Sequence, residues 1–309
     1  MRLRWVAILA CLGLVLTASP ALAKKKHKKP KGLGPVVTAT AVGPTIAAPG
    51  ISPASASCPS GLQAVGGGFS APFDASNKLV VTESYRSSVN TWHVSAFVGS
   101  GSGAATAYAY CRRNNKVITD ATATGTVPSG FGQNGSARAL CAPGAVALSG
   151  GFQITSGPGA SSIAVPMESI GGGPVPGGVP PVGTWTVIAQ NNDSPAQTIT
   201  AHVYCTTGLW LPAFRQDQVS AVVPQLGSLT QSSSCPSVPK PKKKGKKKKK
   251  KPRQLLSAGA FYSPFIPGSS TVFPVHTDSR IVGTGFIDRA VNGGSGTGTL
   301  TVQSQAMCF

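Results

Sequence analysis

The sequence predicts an all-β protein built from three tandem repeats, and three observations support this fold class. Gly 38 and Pro 26 together make up about a fifth of the 309 residues, a composition rich in turns and poor in long helices. Beyond the N-terminus, apolar residues alternate with a period of two between Gly, Pro, Ser and Asn, which is typical of strands. Six cysteines open and close the repeats in turn: Cys58, Cys111, Cys141, Cys205, Cys235 and Cys308.

The first landmark of each repeat follows its opening cysteine. In the first two repeats a Gly-Gly-Phe motif ends eleven residues after that cysteine, at Phe69 and Phe152. In the third repeat Phe261 follows Cys235 only after 26 residues, and removing residues 239–253 restores the spacing of eleven. This predicts that Phe261 is the third equivalent and that the lysine-rich segment is an insertion into a turn.

Further landmarks keep the same order in every repeat. An apolar segment ends in an acidic residue and a serine, at Glu83-Ser84, Glu168-Ser169 and Asp278-Ser279. A Trp-x-Val-x-Ala motif then begins at Trp92 and Trp185, with Arg280–Thr284 as a degenerate third copy. A strand ending in cysteine closes each repeat, and a leader rich in Val, Thr and Ala precedes each opening cysteine. The unit is therefore predicted to contain about five short strands, over 36–115, 116–212 and 213–309.

Because each repeat opens and closes on cysteine, we expect the disulfides Cys58–Cys111, Cys141–Cys205 and Cys235–Cys308. Closing loops of this size stabilises a fold by roughly 4 kcal/mol each through chain entropy. The sequence leaves open whether the repeats form three small sandwich-like modules or one pseudo-threefold β-prism. It also leaves open whether a leader strand completes its own repeat or the preceding one.

These motifs resemble a module of exported bacterial proteins, particularly those of high-GC Gram-positives. The resemblance is carried by a Cys-Pro-x-Gly opening, Gly-Gly-Phe, Trp-x-Val-x-Ala and a closing Ala-Tyr-x-Cys over roughly 36–309. It implies export and a disulfide-stapled β fold, and no particular activity. In repeat count and cysteine placement the chain is also similar to three-repeat β-prisms such as vitelline-membrane outer-layer proteins.

The first 23 residues have the features of a signal peptide. A basic start precedes the apolar run Trp5–Leu16, which is too short to span a membrane, and Ala21-Leu22-Ala23 predicts cleavage after Ala23. The protein is thus expected to be secreted or associated with the cell envelope. Two alternatives remain: lipoprotein processing at Cys11, and a cytoplasmic body, since lysines directly after the cleavage site oppose the positive-inside preference.

The net charge of +20 is concentrated in two segments, a stretch at 24–35 that we expect to be disordered and the insertion at 239–253. The rest of the mature chain carries nine basic and eight acidic residues. The predicted polyanion-binding residues are Lys24, Lys25, Lys26, Lys28, Lys29, Lys31, Lys240, Lys242, Lys243, Lys244, Lys246, Lys247, Lys248, Lys249, Lys250, Lys251 and Arg253.

Such lysine tracts stay solvated and are suited to electrostatic tethering. The expected partner is an anionic polymer, namely a cell-wall or extracellular polyphosphate or polysaccharide, or an anionic membrane surface. Nucleic acid is an alternative partner, bound without specificity, because no aromatic residue is interleaved for base stacking. A tolerated low-complexity loop is the alternative without a function.

We expect no enzymatic activity, no cofactor and no metal site. Equivalent carboxylates, Glu83, Glu168 and Asp278, should be spread around a pseudo-symmetric body rather than meet in one cleft. His93, His202 and His276 fall at different repeat positions, no serine lies in a Gly-x-Ser-x-Gly elbow, and no ligand spacing suits a metal.

Aromatic residues on the closing strands provide a second candidate site. Tyr108, Tyr110, His202 and Tyr204 alternate with the closing cysteines. If their face is exposed, it could stack on sugars and make the body a lectin-like or adhesin module; if it is buried, these residues belong to the core. Trp92 and Trp185 are expected to be core residues.

Overall fold

The computed structural model describes residues 36–113, 117–155, 164–172, 183–192, 195–207, 213–235, 255–263 and 273–308. Within these ranges the regular structure is β-strand, without a helix, which confirms the all-β class. The predicted signal peptide, the polybasic segment 24–35 and the insertion 239–253 lie outside the described residues.

Each repeat contributes six long strands. The first comprises β1 (Val37–Val42), β2 (Ile46–Ala47), β3 (Gly50–Ser57), β4 (Gln63–Ser70), β5 (Lys78–Ser88), β6 (Thr91–Ser100), β7 (Ser102–Gly103) and β8 (Thr106–Arg112), where β2 and β7 form a small separate ribbon. The second comprises β9 (Thr119–Val127), β10 (Asn134–Leu140), β11 (Ala145–Thr155), β12 (Val165–Gly171), β13 (Thr184–Gln190) and β14 (Gln197–Thr207). The third comprises β15 (Ala213–Val223), β16 (Ser228–Ser234), β17 (Leu255–Ser263), β18 (Pro274–Val282), β19 (Gly285–Asn292) and β20 (Gly298–Cys308).

The strand that the sequence analysis did not count precedes each opening cysteine: β3, β10 and β16. These strands consist mainly of Ser, Ala, Gly, Thr and Gln, which have weaker strand preference than Val, Ile or the aromatic residues. Their alternation is nevertheless regular, because Ala54 and Ala56 are buried while Ser55 and Ser57 are exposed.

Three six-stranded sheets form the body. Sheet I has the order β1-β8-β4-β18-β19-β16, sheet II the order β3-β6-β5-β11-β14-β9, and sheet III the order β10-β13-β12-β17-β20-β15. Each sheet thus takes three strands from one repeat and three from another. Sheet I joins repeats three and one, sheet II joins one and two, and sheet III joins two and three, so the repeats close into a ring.

This topology resolves the two questions that the sequence left open. The repeats form one closed pseudo-threefold prism and not three separate modules, because every sheet is shared between two repeats. The leader strands β1, β9 and β15 pair with the closing strands β8, β14 and β20 of their own repeats.

A seam, the pairing of the acid-serine strand of one repeat with the Gly-Gly-Phe strand of the next, occurs once in each sheet. Its register pairs Ser84 with Phe152 and Ser279 with Phe69, but Ser169 with Ala260. The predicted equivalence of Phe261 is therefore wrong by one residue. The error arises because the insertion contains no landmark that fixes its length, so Phe261 was aligned with Phe69 and Phe152 on its aromatic ring alone.

The third copy of the tryptophan motif also differs from the prediction. Ser234 pairs with Gly285 as Ser57 pairs with Thr91, so Phe286 holds the position of Trp92 and Trp185. The degenerate copy predicted at Arg280–Thr284 is wrong. The true motif, Phe-Ile-Asp-Arg-Ala, was hidden because it replaces both the tryptophan and the central valine.

Disulfides join the opening and closing cysteines of every repeat, Cys58–Cys111, Cys141–Cys205 and Cys235–Cys308, with the pairing expected from the sequence. Trp92 and Trp185 are core residues, as predicted. Much of the surrounding core consists of alanine on the inward faces of the strands, including Ala56, Ala107 and Ala201, which are almost fully buried. Small inward side chains allow the sheets to pack closely around the few large ones.

Candidate functional site

The Gly-Gly-Phe motifs are packing features at the centre of the prism. A Cβ atom on Gly67 would overlap the Trp92 ring, and one on Gly150 would overlap the Trp185 ring. A Cβ on the second glycine, Gly151, would instead overlap the backbone carbonyl of Ser84 across the seam. The first glycine therefore makes room for the indole, and the second lets neighbouring repeats approach.

The order of landmarks shared by the first two repeats also provides a hydrogen-bond acceptor for each buried indole N–H group. Trp92 donates a hydrogen bond from Nε1 to Ser84 Oγ at 3.0 Å, and Trp185 donates to Ser169 Oγ at 3.0 Å. These serines belong to the acid-serine landmark, so its serine has a structural role. The glycines, phenylalanines and indoles help to line a cavity of about 20 Å³, which has room for about one water molecule.

In the third repeat this apolar arrangement is replaced by a polar cluster. Asp288 stands where the other repeats have Val94 and Val187. Its carboxylate accepts a hydrogen bond from Ser279 Oγ at 2.9 Å and lies 3.4 Å from Nε2 of His276. Burial raises the pKa of Asp288 well above its ordinary value and lowers the pKa of His276 to about 3. The cluster is enclosed in the core, so it offers no access to a substrate.

The predicted ligand face on the closing strands is divided between core and surface. Tyr110 and Tyr204 are buried, and their hydroxyls accept hydrogen bonds from the backbone N–H groups of Ile281 and Arg86. Tyr108 and His202 are half-buried on the outer faces of sheets I and II. The four residues do not form one ligand face, because both buried tyrosines are needed to satisfy backbone groups of a neighbouring repeat.

A buried arginine, which the sequence analysis did not identify, accompanies Tyr204. Arg86 forms an ion pair with Asp120, and its guanidinium lies over the Tyr204 ring at 4.9 Å from the centroid. These contacts join the first and second repeats. Repeat comparison could not find this residue, because Gly171 and Ile281 hold the equivalent positions.

The three equivalent carboxylates lie on three different sheets, so they do not converge in one catalytic cleft. A hydrogen bond from His93, and one from Gln153, hold the pKa of Glu83 below its ordinary value. Burial raises the pKa of Asp278 although Arg280 opposes the shift, and burial raises the pKa of Glu168 to about 7. The same position in the repeat thus has three different proton affinities.

A cluster of polar and aromatic side chains surrounds Glu83 on the outer face of sheet II. His93 lies 3.3 Å from the Glu83 carboxylate through Nε2 and 2.9 Å from Ser55 Oγ through Nδ1. Tyr85 packs against the edge of His93 and stacks on His202 at 4.9 Å. One face of the Tyr85 ring is therefore covered by one face of the His202 ring.

The cluster around Glu83 was not predicted from the sequence, because one of its members lies on a strand that was not predicted. Ser55 lies on β3, the uncounted strand, and the register of β3 with β6 places it opposite His93. The regular Ser-Ala alternation of β3 is the one sequence feature that could have revealed it.

The lysine tracts lie outside the described residues, but the positions where they join the body are described. The insertion 239–253 lies between Cys235, which follows β16, and Leu255, whose register partner on β20 is Cys308. The N-terminal segment precedes β1, in which Val37 pairs with Cys111. Val37 and Leu255, the described strand ends nearest to the two tracts, are therefore each paired with a closing cysteine.

The chain matches no known protein family, and no curated protein is significantly similar to it. In the part that the structure describes, no helix is long and apolar enough to cross a membrane. Three disulfides indicate an oxidising environment, outside the cell or in its envelope.

Proposed function

We propose that this protein is an exported, non-enzymatic tether that binds anionic polymers of the cell envelope or extracellular space through its two lysine tracts. The β-prism is the scaffold that holds them. The proposed route is signal-peptide cleavage after Ala23, and the disulfides support it because they need an oxidising compartment.

The observation that carries the proposal is where the tracts join the prism. Equivalent positions of a pseudo-threefold body lie at the same level along its axis, so Cys111 and Cys308 share one end. Val37 and Leu255 are register partners of these cysteines. The described strand ends nearest to the two tracts therefore lie at the same end of the prism, which supports the proposal that one linear polyanion engages both tracts together.

The uneven distribution of charge along the chain supports the same function. Seventeen basic residues lie in the two tracts, whereas the rest of the mature chain is nearly neutral. Binding should thus be driven by release of counterions condensed on the polymer, which gives affinity without selectivity for sequence or sugar identity.

The test measures retention of the mature, disulfide-intact protein on immobilised polyphosphate, on an acidic polysaccharide and on a neutral polysaccharide. The variant replaces every lysine and arginine of 24–31 and 239–253 with glutamine, so that chain length is unchanged. We expect the wild-type affinity for polyanions to fall by roughly a thousandfold between about 50 and 200 mM salt. The variant should bind none of the three polymers.

A matched control replaces all sixteen tract lysines with arginine, which preserves charge and should preserve binding. Salt-resistant binding to neutral polysaccharide that survives the glutamine replacement would overturn the tether and support a carbohydrate-binding body. Recovery of the protein from cells with an uncleaved N-terminus and reduced cysteines would instead support a cytoplasmic nucleic-acid binder.

A further inference from the structure

Three side chains from adjacent strands form a continuous series of polar contacts on sheet II. Ser55 on β3 lies 2.9 Å from Nδ1 of His93 on β6, and Nε2 of His93 lies 3.3 Å from the carboxylate of Glu83 on β5. The other Glu83 oxygen accepts a hydrogen bond from Gln153 at 2.9 Å. This is the hydroxyl–imidazole–carboxylate order that activates a serine nucleophile.

The surroundings favour one tautomer of His93. An ionised Glu83 next to Nε2 favours the imidazole that carries its proton on that nitrogen. Nδ1 is then left with a lone pair directed at the Ser55 hydroxyl. Ser95 Oγ, 3.0 Å from Nε2, and the Tyr85 ring help to fix the orientation of the imidazole.

Ser55 is also accessible. It is exposed, and β3 is an edge strand of sheet II, so a reagent can approach the hydroxyl from solvent. The side chains of His93 and Glu83 are 20% and 21% exposed, which keeps them positioned but not sealed. Ser57, two residues along the same face of β3, lies against Thr91 Oγ1 at 3.2 Å and has no histidine partner.

We propose that Ser55 is a base-activated nucleophile that accepts acyl or phosphonyl groups from activated donors, with His93 as the base and Glu83 as the positioning residue. This reactivity is independent of the lysine tracts. With an ester, Ser55 Oγ bonds to the carbonyl carbon and its proton passes to Nδ1 of His93. The bond to the alcohol then breaks, and the alcohol leaves with that proton.

The open sheet face around Ser55 determines the expected product. Ser55 is exposed on an edge strand, and His93 on the neighbouring strand supplies the base. We therefore expect one covalent adduct per chain.

The experiment uses the full mature protein and a fluorophosphonate probe. With this reagent Ser55 Oγ bonds to phosphorus, fluoride leaves, and His93 passes the serine proton to water. Peptide mass mapping then gives the labelling rate at each serine. We expect Ser55 to be labelled at least about a hundredfold faster than Ser57, and His93→Gln to remove that advantage. Glu83→Gln should slow labelling, and Glu83→Asp should restore part of the rate.

The matched control is Ser57→Ala, which should leave the Ser55 rate unchanged. Circular dichroism and the thermal midpoint check that each variant folds, and wild-type protein unfolded in denaturant should lose its preference for Ser55. The proposal is overturned if the folded wild type labels Ser55 no faster than Ser57, or if a folded His93→Gln variant keeps the wild-type rate.

Discussion

Glu83 and Glu168 occupy the same position in successive repeats, but their surroundings give them opposite effects on stability. Glu83 has His93 and Gln153 as hydrogen-bond partners, so its pKa is lowered and its ionised form stabilises the fold. Glu168 is 3% exposed, and burial raises its pKa to about 7. A residue's position in a repeat therefore does not determine its electrostatic role.

This contrast predicts opposite outcomes for the two glutamine variants. The folded pKa of Glu168 lies above that of the unfolded chain, so stability is lost as pH rises from about 4.5 to about 7. Glu168→Gln should therefore gain stability relative to wild type over that range, by up to about 3 kcal/mol. Glu83→Gln should lose about 0.5–1 kcal/mol at pH 7, a loss that disappears in acid as Glu83 takes up its proton.

Urea unfolding of both variants and of wild type at pH 3, 4.5, 6 and 8 would measure these differences. A constant difference in stability between wild type and Glu168→Gln from pH 4.5 to pH 8 would contradict the buried, proton-binding carboxyl.

Strand packing explains why the Gly-Gly-Phe landmark recurs only twice in full. Gly67 and Gly150 each face a tryptophan, whereas the third repeat has Ala258 at that register position and Phe286 in place of tryptophan. Loss of the glycine thus coincides with loss of the larger ring. The first glycine of the landmark is therefore required by the size of the indole ring and not by the strand itself.

Gly67→Ala should accordingly destabilise the protein by about 2–3 kcal/mol, because the added Cβ overlaps the Trp92 ring. This loss of stability should be smaller when Trp92 is also replaced by phenylalanine, because the third repeat has alanine and phenylalanine at these two positions. The control is Gly99→Ala, whose Cβ would meet its neighbours at ordinary distances of 3.5 Å or more. Equal costs of Gly67→Ala in both backgrounds, measured by denaturant unfolding, would exclude the steric coupling.

At the scale of the whole molecule, the decisive feature is that every sheet crosses a seam between repeats. An isolated second repeat, 116–212, would leave β11 without β5 and β12 without β17. Each exposed strand edge would be a template for pairing with another chain. The disulfide Cys141–Cys205 lies within the repeat and could not replace either partner.

We therefore expect the isolated repeat to be unfolded or to assemble, with a closed homotrimer as the simplest complete ring. Analytical ultracentrifugation of the oxidised fragment, together with circular dichroism, distinguishes these states, and residues 24–309 serve as the single-chain ring for comparison. A stable, folded monomer of the fragment would contradict shared sheets as the basis of stability.

The sequence was most informative where a pattern is local. Alternation along β1 or β9 indicates which side chains face inward, and cysteine order within a repeat leads directly to the disulfides. It was least informative where the third repeat has diverged, because Phe286 and Asp288 replace the residues that define the motif. The tyrosines of β8 are a second example. Alternation predicted that Tyr108 and Tyr110 lie on the same face, but it could not show that Tyr110 is buried whereas Tyr108 is half-buried.

By itself, the sequence determined the all-β class, the three repeats and the pairing of cysteines, because strand period and repeat spacing are properties of neighbouring residues. Only the tertiary structure decided that neighbouring repeats share sheets and close into a ring, and that Ser55 lies next to His93 and His93 next to Glu83. The physical reason is that backbone hydrogen bonds are nearly the same for any strand partner. The choice of partner depends on the free energy of burying the whole inward face, to which residues far apart in the chain contribute together.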